Sequence, residues 1–543
     1  MKAINVSSLE KIFPSKAPHD AYNRASMLSN EMFAYQVAYY GEDVRTHFNT
    51  KVECVSPIAD CITLRHVRLV PCEYPLTPTH DDYFITDQPG LFPDLLEPVG
   101  EPFHAIEKQW RAIWVTVEPK SPLAGGEYPI DIQFKNVQTD EVLAQTHFTL
   151  EVIAARLPQQ DIIHTEWFHA DCLADYYQVE VMSEAWWKRC EQFVRLAVER
   201  GINMILTPVL TPPLDTYVGG ERTTVQLVDI TIENGEYAFD FSNFVRWIQM
   251  CKRCGVQYIE INHMFTQWGA GHAPKVMASV DGKMQKIFGW ETDSTGEPYK
   301  EFLRALIPQL IQVIREQGIA DCTYFHVSDE PRLEQLETYK NVASFFKEMV
   351  KGFRVIDALS NVEYYLDGVV EHPVPATNHI EAFLEQHIPD LWAYYCVSQH
   401  VDVANRFLAM PSERCRVLGT QLYKFDIVGF LHWGYNFYNC QYSYRTIDPF
   451  RFTDAERAFP GGDAFLVYPG PEGPLASLRL EVHYAAFQDV GAFKLAETLV
   501  GKQKVLETIQ AGIEPITFSK YPHSAAWLLS MRERINELIK ANL

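Results

Sequence analysis

Two adjacent acids, Asp329 and Glu330, stand in the run HVSDEP, where their type and placement suit general acid/base chemistry. They follow CTYFHVS, residues 322–328, an apolar and β-rich run that reads as a short buried strand. Pro331 withholds a backbone donor and biases Glu330 away from helical geometry, so the strand should end there. Two readings stay open at this point. The acids form a catalytic pair at a strand end, or they are an acidic cap for a helix beginning near Arg332, where negative charge complements the positive helix end. Adjacency constrains the first reading. Successive strand residues point to opposite faces, so both carboxyls reach one pocket only where regular strand geometry stops. Carboxyl pairs that flank a sugar in glycoside hydrolysis stand about 5–9 Å apart and come from different strands. Neighbouring acids better suit the substrate-assisted variant, in which the sugar's own 2-acetamido oxygen is the nucleophile. One acid then orients and supports the acetamide. The other protonates the leaving oxygen, with a pKa raised by burial and by its neighbour.

The elements that must position this pair fall into two grammars. Residues 1–156 read as strands without long helices: THFNTKVECV (46–55), CITLRHVRLVPCEY, RAIWVTVEP, YPIDIQF and THFTLEVIAA, broken by Pro, Gly and Asp. This pattern predicts an N-terminal β-sandwich domain. Residues 157–543 alternate strands with helices and close on C-terminal helices. Strands are expected near 162, 203, 256, 322, 353, 373, 391 and 427, with hairpin excursions at TVQLVDITIENGEYAFDF and KVMASVDGKMQKIFGW. Eight repeated βα units predict a (β/α)8 TIM-type barrel, with an open α/β sheet as the alternative. In such a barrel the active groups lie at the C-terminal ends of strands, where Asp329 and Glu330 fall.

Composition excludes several partners. With 47 Lys plus Arg against 70 Asp plus Glu, the formal charge of -23 repels phosphate backbones and anionic membranes. No apolar run suggests a signal peptide or a spanning helix, so a cytoplasmic location is expected. The eleven cysteines show no framework spacing, and the lone Cys251–Cys254 pair lies within a helical pattern as structural residues. No metal-ligand spacing or phosphate loop is present, and the proposed chemistry requires no cofactor.

HVSDEP resembles the catalytic domain of glycoside hydrolase family 123. So do LTPPLDT (210–216), MFTQWGA (264–270), IFGW (287–290), LWAYYC (391–396), FLHWGYNFY (430–438), GDAFLVYPG (462–470) and SLRLE (477–481). WVTVEPKSPLAGGEY is similar to the sandwich that precedes such barrels. The resemblance implies a retaining β-N-acetylgalactosaminidase acting on a glycan with a terminal N-acetylhexosamine. It also implies that Asp329 supports the acetamide and Glu330 is the acid/base. A glycosidase of this fold for another sugar and a non-catalytic carbohydrate-binding protein are the alternatives.

Aromatic and polar residues at expected strand ends complete the candidate site. Trp268 follows the third strand among small residues and could stack on a sugar face, and Trp433 and Tyr435 end the eighth strand. Tyr394 and Tyr395 end the seventh, where alternation admits one of them to the pocket. Trp290 ends a hairpin that could reach over the mouth. His326 either bonds a sugar hydroxyl or fills a polar layer of the barrel interior, and Asn262 and His263 pose the same choice. Arg222 could steady a carboxylate, with placement on the surface as the simpler reading.

Overall fold

The computed structural model describes residues 1–42 and 49–543. Nine strands open the described chain: β1 (Lys2–Ser7), β2 (Arg24–Leu28), β3 (Phe33–Tyr40), β4 (Thr50–Val55), β5 (Ile62–Cys72), β6 (Gly90–Pro98), β7 (Trp110–Val117), β8 (Gly126–Asn136) and β9 (Val142–Ile153). They form a five-stranded sheet in the order β1-β3-β7-β5-β6 and a four-stranded sheet in the order β2-β9-β8-β4. Alternation fixes which residues meet between the sheets. Tyr35, Val37 and Tyr39 of β3 and Ile113, Val115 and Val117 of β7 share a core with Ile130, Ile132 and Phe134 of β8 and Phe148, Leu150 and Val152 of β9. This is the expected β-sandwich. The expected strand at 46–55 is seen as β4, and its residues 46–48 lie outside the described residues.

Eight parallel strands follow: β10 (Ile163–Glu166), β11 (Met204–Thr207), β14 (Tyr258–Ile261), β17 (Thr323–Phe325), β18 (Arg354–Leu359), β19 (His372–Pro375), β20 (Trp392–Tyr394) and β21 (Gly429–His432). The sheet order is β19-β18-β17-β14-β11-β10-β21-β20, and a parallel bridge between Ala376 and Tyr394 brings its edges together. The architecture is therefore a TIM-type barrel. Alternate residues such as Ile163, Leu206, Tyr324, Ile356, Val374, Trp392 and Leu431 form one apolar cluster. The longer helices begin on recognisable start signals. Ser183 caps Glu184–Glu199 by accepting from the Trp186 amide, and Pro298 opens Glu297–Glu316. After β18 and β19 the crossover helices shrink to single turns, Glu363–Leu366 and Glu381–Leu384, which is why this half of the barrel patterned weakly in sequence.

Two hairpins leave the barrel, β12 (Asp229–Glu233) with β13 (Glu236–Asp240), and β15 (Val276–Val280) with β16 (Lys283–Phe288). Each turns on a left-handed pair, Asn234-Gly235 and Asp281-Gly282, the chemistry of a tight hairpin. Sequence marked both hairpins but not their union. β12 pairs in parallel with β15, so together they make one four-stranded sheet.

The expected division at 156/157 fails at the C-terminus. One compact unit comprises 1–160 with 401–425 and 475–543, and the other comprises 161–400 with 426–474. The C-terminal helices expected with the barrel belong instead to the first unit. Buried ion pairs are the physical reason. Arg479 bonds both oxygens of Asp94, Arg532 bonds Glu31 at 2.8 Å, and Asp489 accepts from both Arg416 and Arg532. Unpairing a buried charge of this kind costs several kcal/mol, yet partners so far apart in sequence leave no periodic trace.

Gly429, at the start of β21, tests the barrel packing. A Cβ there would stand 2.1 Å from the Trp392 ring, which is itself buried. Gly429→Ala is expected to destabilise the barrel by about 1–3 kcal/mol through overpacking. Thermal unfolding checks this, and an unchanged melting temperature would contradict the packing described.

Candidate active site

The strand that carries the acids is short. β17 ends at Phe325, and residues 326–331 leave sheet geometry. Glu330 then adopts a left-handed backbone with φ 42°, uncommon for a residue with a Cβ. This departure turns two successive side chains toward one cavity, so Asp329 and Glu330 both line it. Three contacts hold the strained run. The Glu330 amide donates to the Ala358 carbonyl at 3.2 Å, the Trp268 amide donates to the Asp329 carbonyl at 2.9 Å, and Asp357 accepts from the Val327 and Ser328 amides at 3.0 and 3.3 Å.

The cavity holds about 200 Å³ and is lined by Trp167, Asp215, Trp268, Tyr394, Trp433 and Tyr442 beside the two acids. Tyr394 donates its hydroxyl to Glu330 Oε1 at 2.7 Å. Burial and the charge of Glu330 push Asp329 well above the usual carboxylate range, while His326 pulls the other way. The neighbouring carboxylate thus disfavours ionisation of Asp329.

Behind the pair lies a buried chain of polar groups. His326 Nε2 meets Glu260 Oε1 at 2.5 Å, and its Nδ1 lies 3.4 Å from Asp357. Glu260 also accepts from the Trp167 indole at 2.9 Å and from the Thr165 hydroxyl, and Tyr339 bonds Asp357. Burial opposes charge on His326, but the bonds to Asp357 and Glu260 outweigh it and push its pKa up to about 9. His263 stacks on this ring at 4.3 Å and is held neutral by burial and by the His326 charge. His326 is thus an imidazolium beneath the site, with its ring nitrogens engaged by carboxylates. Asn262 holds local backbone, accepting from Leu210 and donating to the His263 carbonyl.

The expected aromatics separate. Trp268, Tyr394 and Trp433 line the cavity. Trp268 sits at φ 61° in a left-handed run with Gly269 and Ala270, and a Cβ on Gly269 would strike the Gln335 side chain at 2.6 Å. Trp433 is fixed by its indole donating to Asp463 at 2.9 Å. Tyr395 points away, fully buried against Phe430 and His432, as strand alternation requires once Tyr394 faces in. Tyr435 is also fully buried and donates to the Phe193 carbonyl, because the chain turns at Gly434 against Asp463 and Ala464. Trp290 lies in a different cavity with Thr211, Arg222 and Lys275, since its hairpin is tied into the four-stranded sheet.

Trp167, Asp215 and Tyr442 are among the cavity residues that sequence reasoning passed over. Trp167 directly follows β10, so the strand-end rule that singled out Asp329 applied to it as well. Asp215 lies in LTPPLDT with φ 41°. Burial raises its pKa to about 6, against the pull of the Tyr442 amide and Arg222. Tyr442 comes from a loop whose sequence carries no signal of its placement. Arg222 does steady a carboxylate: it bonds both oxygens of Asp171 at 2.7 and 2.8 Å, and it donates to the Leu214 carbonyl next to Asp215. Cys251 and Cys254 are buried free thiols, and no helix among the described residues is long and apolar enough to cross a membrane.

Comparison with known proteins bears on this geometry. A solved family 123 glycoside hydrolase from Clostridium perfringens, described in terms of glycolipid glycan hydrolysis, superposes with a TM-score of 0.75 at 14% identity, over 99% of this chain and 97% of that one. A glycosyl hydrolase family 2 member from Bacteroides cellulosilyticus aligns at a TM-score of 0.28 and 11% identity, over 78% of this chain and 45% of that one. A family 5 mannosidase from Rhizomucor miehei aligns at 0.33 and 11%, over 61% and 94%. No curated protein matches the sequence. The family model described as glycoside hydrolase 123, catalytic domain, matches residues 167–496, more than half of the chain and the whole cavity lining. The chain therefore belongs to glycoside hydrolase family 123.

Proposed function

We propose that this enzyme is a retaining exo-glycosidase that releases terminal β-linked N-acetylgalactosamine by substrate-assisted catalysis. One observation carries the reading: Asp329 and Glu330, adjacent in sequence, enter one cavity together through the left-handed Glu330 backbone. Adjacent carboxyls leave no room to flank a sugar ring from opposite sides, so the nucleophile comes from the substrate. In the first step the acetamido oxygen attacks C1 as the C1–O bond to the leaving group breaks. The proton of Glu330 passes to the departing oxygen, and the Asp329 carboxylate accepts from the acetamido N–H as positive charge builds on the oxazolinium ring. In the second step water attacks C1 and gives a proton back to Glu330, and the oxazolinium C1–O bond breaks. Two inversions leave the β configuration intact. The step starts with the proton on Glu330 and with Asp329 ionised; burial and Glu330 oppose that ionisation, and the His326 charge beneath the site favours it.

A cavity of about 200 Å³ suits one sugar residue better than a run of them, which supports exo action. Trp167, Trp268 and Trp433 offer apolar walls for the ring and the acetamido methyl. The sugar itself rests on family membership, so the test is a substrate panel. Side-by-side assay of 4-nitrophenyl β-GalNAc, β-GlcNAc and β-Gal should show turnover of the acetamido sugars, with β-GalNAc fastest. Comparable release from β-Gal would exclude acetamido participation.

The two acids should respond differently to substitution. Asp329→Asn is expected to lose about 10²–10³ in kcat even on 4-nitrophenyl β-GalNAc, because the charged intermediate loses its support. Glu330→Gln should lose about 10²–10⁴ on alkyl or sugar leaving groups and much less on activated ones. Near wild-type turnover by Asp329→Asn would overturn the assignment of roles.

The imidazolium predicts a pH signature in stability. His326 titrates at about 9 in the folded protein against an ordinary 6.5. Its pKa is raised on folding, so the stabilisation is complete below pH 6.5 and is lost as pH rises through about 9. The melting-temperature gap between wild type and His326→Gln should be widest near pH 6 and narrow toward pH 9.5. A gap that widens with pH would show that the ring is held neutral.

A further inference from the structure

An aromatic strip runs outward from the cavity wall, beyond the residues that enclose the sugar. Tyr442 lines the cavity and meets Trp268 edge-on at 6.2 Å. Tyr444 follows at 6.2 Å from Tyr442, and Tyr217 stacks on Tyr444 at 4.5 Å with ring planes 23° apart. These outer rings face solvent: Tyr217 is 37% exposed, Tyr444 61%, and the neighbouring Val218 65%. Exposed apolar area continuous with a catalytic cavity is uncommon on a surface that has no use for it.

The strip is held in place by the cavity itself. Asp215 clasps the two loops that bear it, accepting from the Tyr442 amide at 2.9 Å through its carboxylate and from the Ser443 hydroxyl at 2.7 Å through its carbonyl. The Tyr217 amide donates to the Tyr442 carbonyl at 3.3 Å. Tyr442 and Ser443 are both left-handed, at φ 58° and 56°, a strain that persists only where contacts over-determine the loop. Gly220 lies beneath the Tyr217 ring, where a Cβ would come within 2.4 Å of it. The rings are therefore pre-positioned, which lowers the entropy cost of binding.

We propose that Tyr444, braced from behind by Tyr217, forms the leaving-group subsite, taking the C–H face of a pyranose on its solvent side. This rests on the exo-glycosidase reading. With the terminal sugar enclosed, the group it is released from must emerge at the mouth, where the strip begins. Aromatic faces recognise the apolar C–H side of a pyranose, and galactose, whose hydroxyls leave one such side clear, is a suitable probe.

The test compares a ring-bearing leaving group with a ringless one. The substrates are a β-linked N-acetylgalactosaminyl-galactose disaccharide and N-acetylgalactosaminyl fluoride of the same anomeric configuration. In the Tyr217→Ala/Tyr444→Ala double variant the ratio of kcat/KM for disaccharide over fluoride should fall about 10-fold, with the loss in KM. Tyr444→Trp should keep the wild-type ratio. An unchanged ratio in the double variant overturns the proposal. Binding of methyl β-galactoside, read by saturation-transfer NMR, does not depend on the amino sugar. It should be present in the wild type and lost in the double variant, and its absence from the wild type also overturns the proposal. Binding retained by a wild type that hydrolyses neither substrate would instead refute the proposed function alone.

Discussion

Adjacent residues on a β-strand face opposite ways, yet in this cavity two adjacent carboxyls face the same way. The conflict is resolved by stopping the strand early and placing Glu330 in a left-handed conformation. Such a backbone costs on the order of 1–3 kcal/mol for a residue with a side chain, so the surrounding structure must hold it. It does so from both sides. The neighbouring strand β18 contributes the Ala358 carbonyl and the Asp357 carboxylate, and the loop after β14 contributes the Trp268 amide. That loop is itself left-handed at Trp268 and closed against Gln335, so strain on one side of the cavity is set against strain on the other.

Charge is balanced in depth rather than at the surface. Three acids line the cavity, Asp215 with the adjacent pair, and beneath the pair an imidazolium sits between two further carboxylates. The His326 charge lowers Asp329 while Glu330 and burial raise it, and the raising contributions win. Glu260 links the arrangement to the wall, because the carboxylate that faces His326 also fixes the Trp167 indole. Protonation and the shape of the sugar pocket are thus coupled through one buried side chain.

The place of the acid pair at a strand end, the sandwich-plus-barrel architecture and the hairpins were legible because each depends on local pattern. Alternation in β3, β7, β8 and β9 marks the core of a sandwich, and Asn-Gly and Asp-Gly mark tight turns. Asp329 and Glu330 stood out because acids at the end of an apolar strand are poor packing residues. Tyr394 and Tyr395 were legible as a choice of one, and alternation decided it. Trp290 and Tyr435 were misplaced for a shared reason: a residue's nearness to a strand end does not say which way the following loop turns.

Sequence by itself determined the repeated βα units, the place of the acid pair at a strand end and the rule that both acids must lie where strand geometry fails. All of these rest on interactions between residues close in the chain. Only the tertiary structure decided that the C-terminal helices belong with the sandwich, through buried pairs such as Arg532 with Glu31. Only it decided that Asp215 and Tyr442, from loops after different strands, meet at the cavity. Such partners are joined by close approach and by desolvated charge, neither of which has a period that a sequence can display.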